Sequence, residues 1–206
     1  GYSGDFGVAT QAALKSPMDV AVDAEGNLYI SDSGNNRIRK VDINGVISTF
    51  AGSGSRRFDG DEKPAIEAGM TPSGIALDGA GGLLVADTRN HRIRLIDLQS
   101  GIISTIAGTG KRGFEGDGDL AQGAKLSSPW GVTVSALSDV IISDSGNNRV
   151  RRISVASGNI ETVGGVGEGL NAGCWAIGVS RYSNYMDIDS LEHEESLSES
   201  EMTSRH

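Results

Sequence analysis

The stretch "SDSGNNRIRKVD" at residues 31–42 recurs twice in the chain with few changes, as "ADTRNHRIRLID" at 86–97 and "SDSGNNRVRRIS" at 143–154. Two further segments keep step with it: a proline-led one ("PMDVAVD", "PSGIALD", "PWGVTVS") and one ending in glycines ("ISTFAGSG", "ISTIAGTG", "IETVGGVG"). The leading prolines Pro17, Pro72 and Pro129 lie 55 and 57 residues apart. A fixed period of this length is the signature of a repeat architecture.

Each repeat predicts four short strands, which in the first repeat are residues 19–23, 27–32, 37–42 and 46–52. A proline before the first strand suits a strand start, because its nitrogen cannot donate a hydrogen bond. The pair Asn44-Gly45 is a strong signal for a two-residue hairpin. Four consecutive antiparallel strands at this period form a propeller blade. We therefore predict an all-β fold, a β-propeller of four-stranded antiparallel blades.

The repeats resemble NHL repeats, which build β-propellers. The resemblance rests on the proline-to-glycine first strand, the "NLYISD" second strand and the "D-x-x-N-x-R-I-R" start of the third. The glycine-rich linkers also match, since residues 1–17 and 113–129 align without a gap. We assign three complete blades, at about 17–54, 72–110 and 129–167, and the linkers 1–16, 55–71 and 111–128.

A fourth blade begins and stops. "LNAGCWAIGVS" at 170–180 follows the earlier pattern, but Gly173 and Cys174 stand where the proline is expected. We place a partial propeller at 1–180 and an acidic, Ser/Glu-rich disordered tail at 181–206. Three blades cannot close a ring, because propellers typically have about four to eight. We expect a fragment of a longer protein or, alternatively, a dimer completing a six-bladed ring, with open sheet edges that favour self-association.

The composition narrows the class of protein. The 30 glycines suit many short strands and tight turns, and the single cysteine, Cys174, excludes an internal disulfide framework. The formal net charge is −9, of which −5 falls in residues 181–206 and −4 in the remainder. A mildly acidic body argues against a nucleic-acid partner held by phosphate charge. No apolar run is long enough to predict a membrane span, and we assign no compartment.

The repeated corner contains two sets of candidate residues. An aspartate that ends the second strand is predicted to pair with the arginine that opens the third, which gives the structural pairs Asp32 and Arg37, Asp87 and Arg92, and Asp144 and Arg149. The turn tips between them are the predicted partner-binding residues Asn35, Asn36, Asn90, His91, Asn147 and Asn148. On this interpretation Asp32→Ala lowers stability, whereas Asn36→Ala leaves the fold intact and affects binding alone.

Catalytic and metal sites receive little support from the sequence. The acidic linkers "FDGDE" and "FEGDGD" contain oxygen ligands that calcium accepts, but neither has EF-hand spacing. Solvated glycine turns are therefore the preferred interpretation. Some propellers with NHL-like blades are lyases or lactonases that hold a metal with histidines or carboxylates, yet no histidine stands in a first strand here. We expect no enzyme, no cofactor and no metal site.

The preferred function is a non-catalytic scaffold that binds a protein partner through the blade-edge turns and linkers, as the resemblance to NHL proteins implies. The alternative is an RNA-binding propeller face, and a metal-dependent lyase or lactonase is third. RNA has a candidate surface in the basic third strands, although their charge has a structural explanation and aromatic side chains are sparse. The basic residues concerned are Arg37, Arg39, Lys40, Arg92, Arg94, Arg149, Arg151 and Arg152.

Overall fold

The computed structural model describes residues 1–167, which form three antiparallel sheets. The predicted all-β fold with three successive blades is therefore confirmed within this range. The predicted start of a fourth blade at 170–180 and the predicted tail at 181–206 lie outside the described residues.

The first sheet has five strands: β1 (Gly7–Val8), β2 (Pro17–Val22), β3 (Leu28–Asp32), β4 (Arg37–Val41) and β5 (Val46–Ala51). Their order is β1-β5-β4-β3-β2, so the last four form the expected meander. The additional strand β1 comes from the preceding linker and pairs with the outer edge of β5. A two-residue strand has too short a pattern to be recognised in the sequence.

The second sheet repeats this arrangement with β6 (Lys63–Pro64), β7 (Pro72–Leu77), β8 (Gly82–Asp87), β9 (Arg92–Asp97) and β10 (Ile102–Ala107). Its order is β6-β10-β9-β8-β7, and the linker strand β6 again covers the outermost strand. The aspartate at the end of β8 lies opposite the arginine that opens β9, as the repeat predicts.

The third sheet has four strands in the order β11 (Gly131–Val134), β12 (Val140–Asp144), β13 (Arg149–Ile153) and β14 (Ile160–Gly164). Here the linker reaches the outer strand through isolated bridges, of which one joins Asp117 to Ile160. Across the described residues, the outer edge of every blade is therefore covered by the linker that precedes it. The predicted self-association through open sheet edges stays a prediction.

Short 3₁₀ turns occupy two repeated places. One set forms the corners between second and third strands: Ser33–Asn35, Thr88–Asn90 and Ser145–Asn147. The other set lies in the linkers: Ala9–Gln11, Ala65–Glu67 and Ala121–Gly123. In the second linker the Ala65 nitrogen donates to Gly101 O of its own blade, and Ala65 O accepts from the Gly52 nitrogen of the preceding blade, both at 2.8 Å. One residue thus joins two blades.

The core consists of two apolar layers, one at each junction between successive blades. Strand alternation sends one side-chain row of each sheet into the layer before it and the other row into the layer after it. Ile75 of β7 is only 4% exposed because it packs against the first blade, whereas its counterpart Val20 in β2 is 56% exposed. The face of the first blade that contains Val20 is therefore an open apolar surface.

Hydroxyl groups at the corners also join neighbouring blades. Ser31 Oγ donates to Pro72 O at 3.0 Å, and Thr88 Oγ1 donates to Pro129 O at 2.7 Å. Each contact links the corner of one blade to the proline that opens the next. A buried hydroxyl paired in this way fixes the relative position of two sheets, because an unpaired carbonyl there would lose its hydration without replacement.

Candidate functional site

Three of the predicted partner-binding residues have a backbone role at the corner. Asn36, His91 and Asn148 each follow the 3₁₀ turn in the left-handed conformation, with φ of 55°, 53° and 52°. Asparagine and histidine are enriched in this conformation, which explains the residue types. The side chains also contact the chain: Asn36 Nδ2 donates to Gly54 O at 3.0 Å, and the Ser128 nitrogen donates to His91 Nδ1 at 2.9 Å.

The other three turn asparagines connect the corner to the linker. Asn35 Nδ2 donates to Asp32 Oδ2 at 2.8 Å and to Gly1 O at 2.6 Å. The Nδ2 groups of Asn90 and Asn147 make equivalent bonds to the corner aspartate and to a linker carbonyl, of Arg56 and Gly113 respectively. The structure thus gives these asparagines internal partners, and their role in partner binding stays a prediction.

The corner aspartates are completely buried and pair with a different arginine from the one predicted. Asp32 Oδ2 lies 3.7 Å from Arg39 Nη1, while Arg37 donates to the carbonyl oxygens of Asn35 and Ser53. In the other blades Asp87 pairs with Arg94 at 3.5 Å, not with Arg92, and Asp144 pairs with Arg151 at 3.4 Å, not with Arg149.

The physical reason lies in the strand register. Asp32 is directly opposite Arg37, but a long side chain two residues further along the same face also reaches it diagonally. The aromatic ring of Tyr2, in the linker, stacks on the Arg37 guanidinium, with 4.0 Å between the ring centroid and Cζ. Neighbouring backbone carbonyl groups accept hydrogen bonds from Arg37. Arg37 is therefore engaged elsewhere, and Arg39 forms the buried ion pair with Asp32 from the diagonal position.

A repeated contact, which we call the linker clasp, holds each linker on the blade that follows it. In the first blade it consists of Tyr2, Asp5, Arg37 and Arg39. Its ion pair joins Arg39 Nη2 to Asp5 Oδ1 at 2.6 Å. The equivalent sets are Phe58, Asp61, Arg92 and Arg94 in the second blade and Phe114, Asp117, Arg149 and Arg151 in the third, with ion-pair distances of 2.8 and 2.6 Å.

A glycine makes room for the clasp. Gly54 has φ of +92°, and a Cβ atom placed there would lie 2.6 Å from Arg37 Nη1. Two constraints therefore require glycine at position 54: its left-handed backbone conformation, and the guanidinium group that a Cβ atom would clash with. The same relation holds for Gly110 and Arg92.

The sequence contained an overlooked signal for the clasp. The linkers contain an aromatic residue, any residue, glycine and aspartate at identical places, as "YSGD" at 2–5, "FDGD" at 58–61 and "FEGD" at 114–117. Asp61 and Asp117, which the sequence interpretation considered as calcium ligands, bind arginines instead. Within residues 1–167 no three His, Cys, Asp or Glu side chains are grouped as ligands for a metal ion.

Burial and hydrogen bonding set the pKa values of these carboxyl groups. Burial raises the pKa of Asp87 above its usual value, although the Thr71 amide, Asn90 and Arg94 act in the opposite direction. Burial likewise raises the pKa of Asp144. The pKa of Asp5 is lowered, because hydrogen bonds from Tyr2, Thr49 and Arg39 outweigh its burial. The anionic form of Asp87 and Asp144 is thus disfavoured, whereas the anionic form of Asp5 is stabilised.

The clasps also change the interpretation of the basic third strands. Arg39, Arg94 and Arg151 are 0% exposed and engaged on both sides by carboxylates. They offer no positive charge to a ligand at the surface. The candidate RNA-binding surface is correspondingly smaller than the sequence suggests.

A cleft of about 660 Å³ opens where the corners of the first two blades meet. Its wall includes the residues that directly follow the three leading prolines, Met18, Ser73 and Trp130, so all three blades contribute to it. The remaining wall is formed by the corner turns and the linker between the blades: Ser16, Ser33, Gly34, Asn36, Gly54, Ser55, Arg56, Arg57, Thr71, Thr88 and Arg89. Among the six predicted partner-binding residues, Asn36 lies in this wall.

Comparison with family models identifies the repeats. The model of the teneurin NHL domain matches residues 1–60, and the NHL repeat model matches residues 70–94 and 126–153. The chain belongs to the NHL-repeat family. The matched segments include the corner turns of all three NHL blades.

Curated relatives match part of this chain. NHL repeat-containing protein 2 of Gallus gallus is 41% identical over 123 residues, which cover 58% of this chain and 16% of the relative. Protein SUPPRESSOR OF QUENCHING 1, chloroplastic, of Arabidopsis thaliana is 37% identical over 107 residues, which cover 51% of this chain and 10% of the relative. The chain therefore spans a small part of these relatives.

Solved structures show the same fold at low identity. A chain of a nidogen/laminin complex matches 79% of this NHL chain and 55% of its own length, with a TM-score of 0.54 and 16% identity. A gluconolactonase from Xanthomonas campestris matches 74% of this chain and 48% of its own length, with a TM-score of 0.55 and 14% identity. These likenesses establish the propeller fold. Among residues 1–167, no helix is sufficiently long and apolar to cross a membrane.

Proposed function

We propose that this NHL chain is a non-catalytic scaffold that binds a protein partner through the cleft between its first two blades. The observation that carries the proposal is the exposure of two large apolar side chains in the cleft wall, with Met18 49% and Trp130 42% exposed. Exposed tryptophan in a concave surface is typical of the residues that dominate protein interfaces.

The internal contacts of the repeated residues support the cleft as the binding site. The corner aspartates, the first asparagine of each turn and the two clasp arginines of each blade have partners within the chain. A partner therefore meets the residues that differ from blade to blade, and these include Met18 and Trp130, which occupy one repeat position. Asn36 is the turn residue placed to contribute from the same wall.

The test starts from partner capture and ends in a direct measurement. The purified full chain is immobilised, proteins retained from a lysate are identified by mass spectrometry, and the most enriched protein is purified. Its affinity is then measured for the unaltered chain, for Trp130→Ala and for the control Leu137→Ala, since Leu137 is 78% exposed outside the cleft.

We expect Trp130→Ala to weaken binding by about tenfold or more and Leu137→Ala to leave it unchanged. Equal affinities for both variants would contradict the proposal. Loss of capture after ribonuclease treatment would instead favour the RNA alternative.

A further inference from the structure

Three cations without internal partners line the cleft. Arg56, Arg57 and Arg89 are exposed. Throughout residues 1–167, no side chain forms an ion pair or hydrogen bond with their guanidinium groups. Like charges gathered on one surface repel each other when no anion lies among them. The fold gains no stability from this arrangement, which instead suits the binding of an anionic ligand.

The repeat itself provides a comparison for each arginine. Arg57 corresponds to Gly1 and Gly113 in the other linkers, and Arg89 corresponds to Gly34 and Gly146 in the other corners. The blades therefore fold without a cation at either position. These two arginines belong to one junction alone, whereas the clasp residues occur in all three blades.

The third arginine has a counterpart that behaves differently. Arg112 occupies the position of Arg56 in the next linker, but its Nε donates to Ser127 Oγ at 3.2 Å. Arg56 is held only by its backbone, because its carbonyl accepts from Asn90 Nδ2 at 3.1 Å. The backbone of Arg56 is thus fixed, and the donors of its guanidinium group are free within the described part of the chain.

The cleft combines these arginines with an apolar surface. Met18 and Trp130 contribute exposed apolar side chains to the wall, and Asn36 adds an amide. Guanidinium groups bind carboxylates through paired hydrogen bonds. A ligand that matches the whole wall therefore carries several carboxylates and at least one apolar side chain.

We propose that the cleft binds an acidic peptide segment containing an apolar residue, an inference that rests on the proposed scaffold function. An acidic peptide fits better than RNA because the three unpaired arginines lie together in one cleft, on a body of net negative charge. A nucleic acid carries charge along its whole length and gains affinity from an extended basic track. The buried third-strand arginines do not provide such a track.

The experiment measures fluorescence anisotropy with the full chain and labelled decapeptides. One peptide contains Asp and Glu around a central Leu-Phe pair, and its partner replaces each acid by Asn or Gln. The test variant is Arg56→Gln/Arg57→Gln/Arg89→Gln. The control variant Lys40→Gln/Lys111→Gln/Lys125→Gln removes the same charge from positions outside the cleft wall.

We expect the acidic peptide to bind at least tenfold more tightly than its amide partner at about 0.15 M salt, where long-range effects of charge are screened. The cleft variant should lose this preference and keep the unaltered thermal midpoint, while the control variant should keep both. Equal binding by the cleft variant would overturn the proposal, as would tighter, cleft-dependent binding of oligouridine.

The outcome separates this inference from the scaffold function. If no acidic peptide binds, but Trp130→Ala still abolishes binding of the captured protein, the scaffold proposal stands and the acidic-peptide inference is wrong. If neither measurement depends on the cleft, both are wrong.

Discussion

Asp117 of the third linker contacts Arg151 of the third blade, with 2.6 Å between Oδ1 and Nη2. The arginine side chain is completely buried, and its other guanidinium nitrogen faces Asp144. The aspartate therefore fixes the linker to the sheet and balances a charge that water does not reach. Such a pair matters most when one member is removed, since the remaining charge is left without compensation.

Asp117→Ala should lower the free energy of unfolding by about 2 kcal/mol, less than for a fully buried pair because Asp117 is partly exposed and Asp144 remains. The midpoint of urea unfolding, followed by circular dichroism, measures this. Asp119→Ala is the matched control, since its exposed side chain lies in the same linker. Similar midpoints for both variants would show that the clasp contributes nothing.

Asn36→Ala should destabilise the fold by about 1 kcal/mol, because alanine tolerates the left-handed conformation poorly and loses the bond to Gly54 O. The sequence alone predicted an intact fold, and the φ of 55° changes that expectation. Asn36→Gly should recover much of the loss, since glycine accepts this conformation. Thermal unfolding of the two variants side by side decides the matter; a less stable Asn36→Gly would argue against a backbone origin.

His91 should make stability depend on pH. Burial, followed by the charges of Arg112 and Arg92, lowers the pKa of His91 below 6.5, while Asp144 opposes this. The neutral ring also accepts a bond from the Ser128 nitrogen, which a protonated Nδ1 cannot do. The contribution to stability is therefore complete above pH 6.5 and is lost as the pH falls through the lowered value.

The measurement for His91 is the urea midpoint at pH 7.5 and at pH 5.5. His91→Asn, which restores the residue of the other two blades, should reduce the difference between the two midpoints. An unchanged difference would assign the pH dependence to other groups, such as Asp87 and Asp144.

Thr88→Val should loosen the junction between the second and third blades. The substitution keeps the shape of the side chain but leaves Pro129 O without its donor, at a cost of about 1–2 kcal/mol. Thr109→Val is a suitable control, because Thr109 is exposed. Hydrogen exchange should show faster exchange in β11 for Thr88→Val only; protection that matches the unaltered chain would contradict this role.

The uncovered face of the first blade should promote self-association. Val20→Lys places a charge on that face, where Val20 is 56% exposed, and should reduce the concentration dependence of the apparent mass in light scattering. Ile43→Lys in the hairpin turn is the control for added charge. Association that persists equally in both variants would place the contact elsewhere.

The sequence predicts the blades well because each strand boundary has a local cause. The leading prolines and the Asn44-Gly45 hairpin act within a few residues, and the strands begin and end within about two residues of the expected places. The partners of the arginines depend on contacts between distant segments. Asp5 and Arg39 meet only because the linker runs along β5, which no local pattern reports.

The cleft also depends on contacts between segments that are distant in the sequence. The differences at Arg57 and Arg89 are visible in the aligned repeats, but their proximity follows from how a linker and a corner of consecutive sheets pack. Agreement among repeats indicates what the fold requires. Disagreement among repeats marks positions that the fold leaves free to vary, and the packing of the sheets brings Arg57 and Arg89 into one surface.

The linker residue Ala65, bonded to Gly52 on one side and to Gly101 on the other, has a consequence for how the molecule opens. Ala121 repeats the arrangement with Gly108 and Gly158. Main-chain hydrogen bonds thus connect successive blades along their outer strands. The outer strand of one blade cannot fray without breaking a hydrogen bond to the neighbouring blade. Amide protons of Gly52 and Ala65 should exchange at one common rate, as a single cooperative unit that crosses the boundary between two repeats.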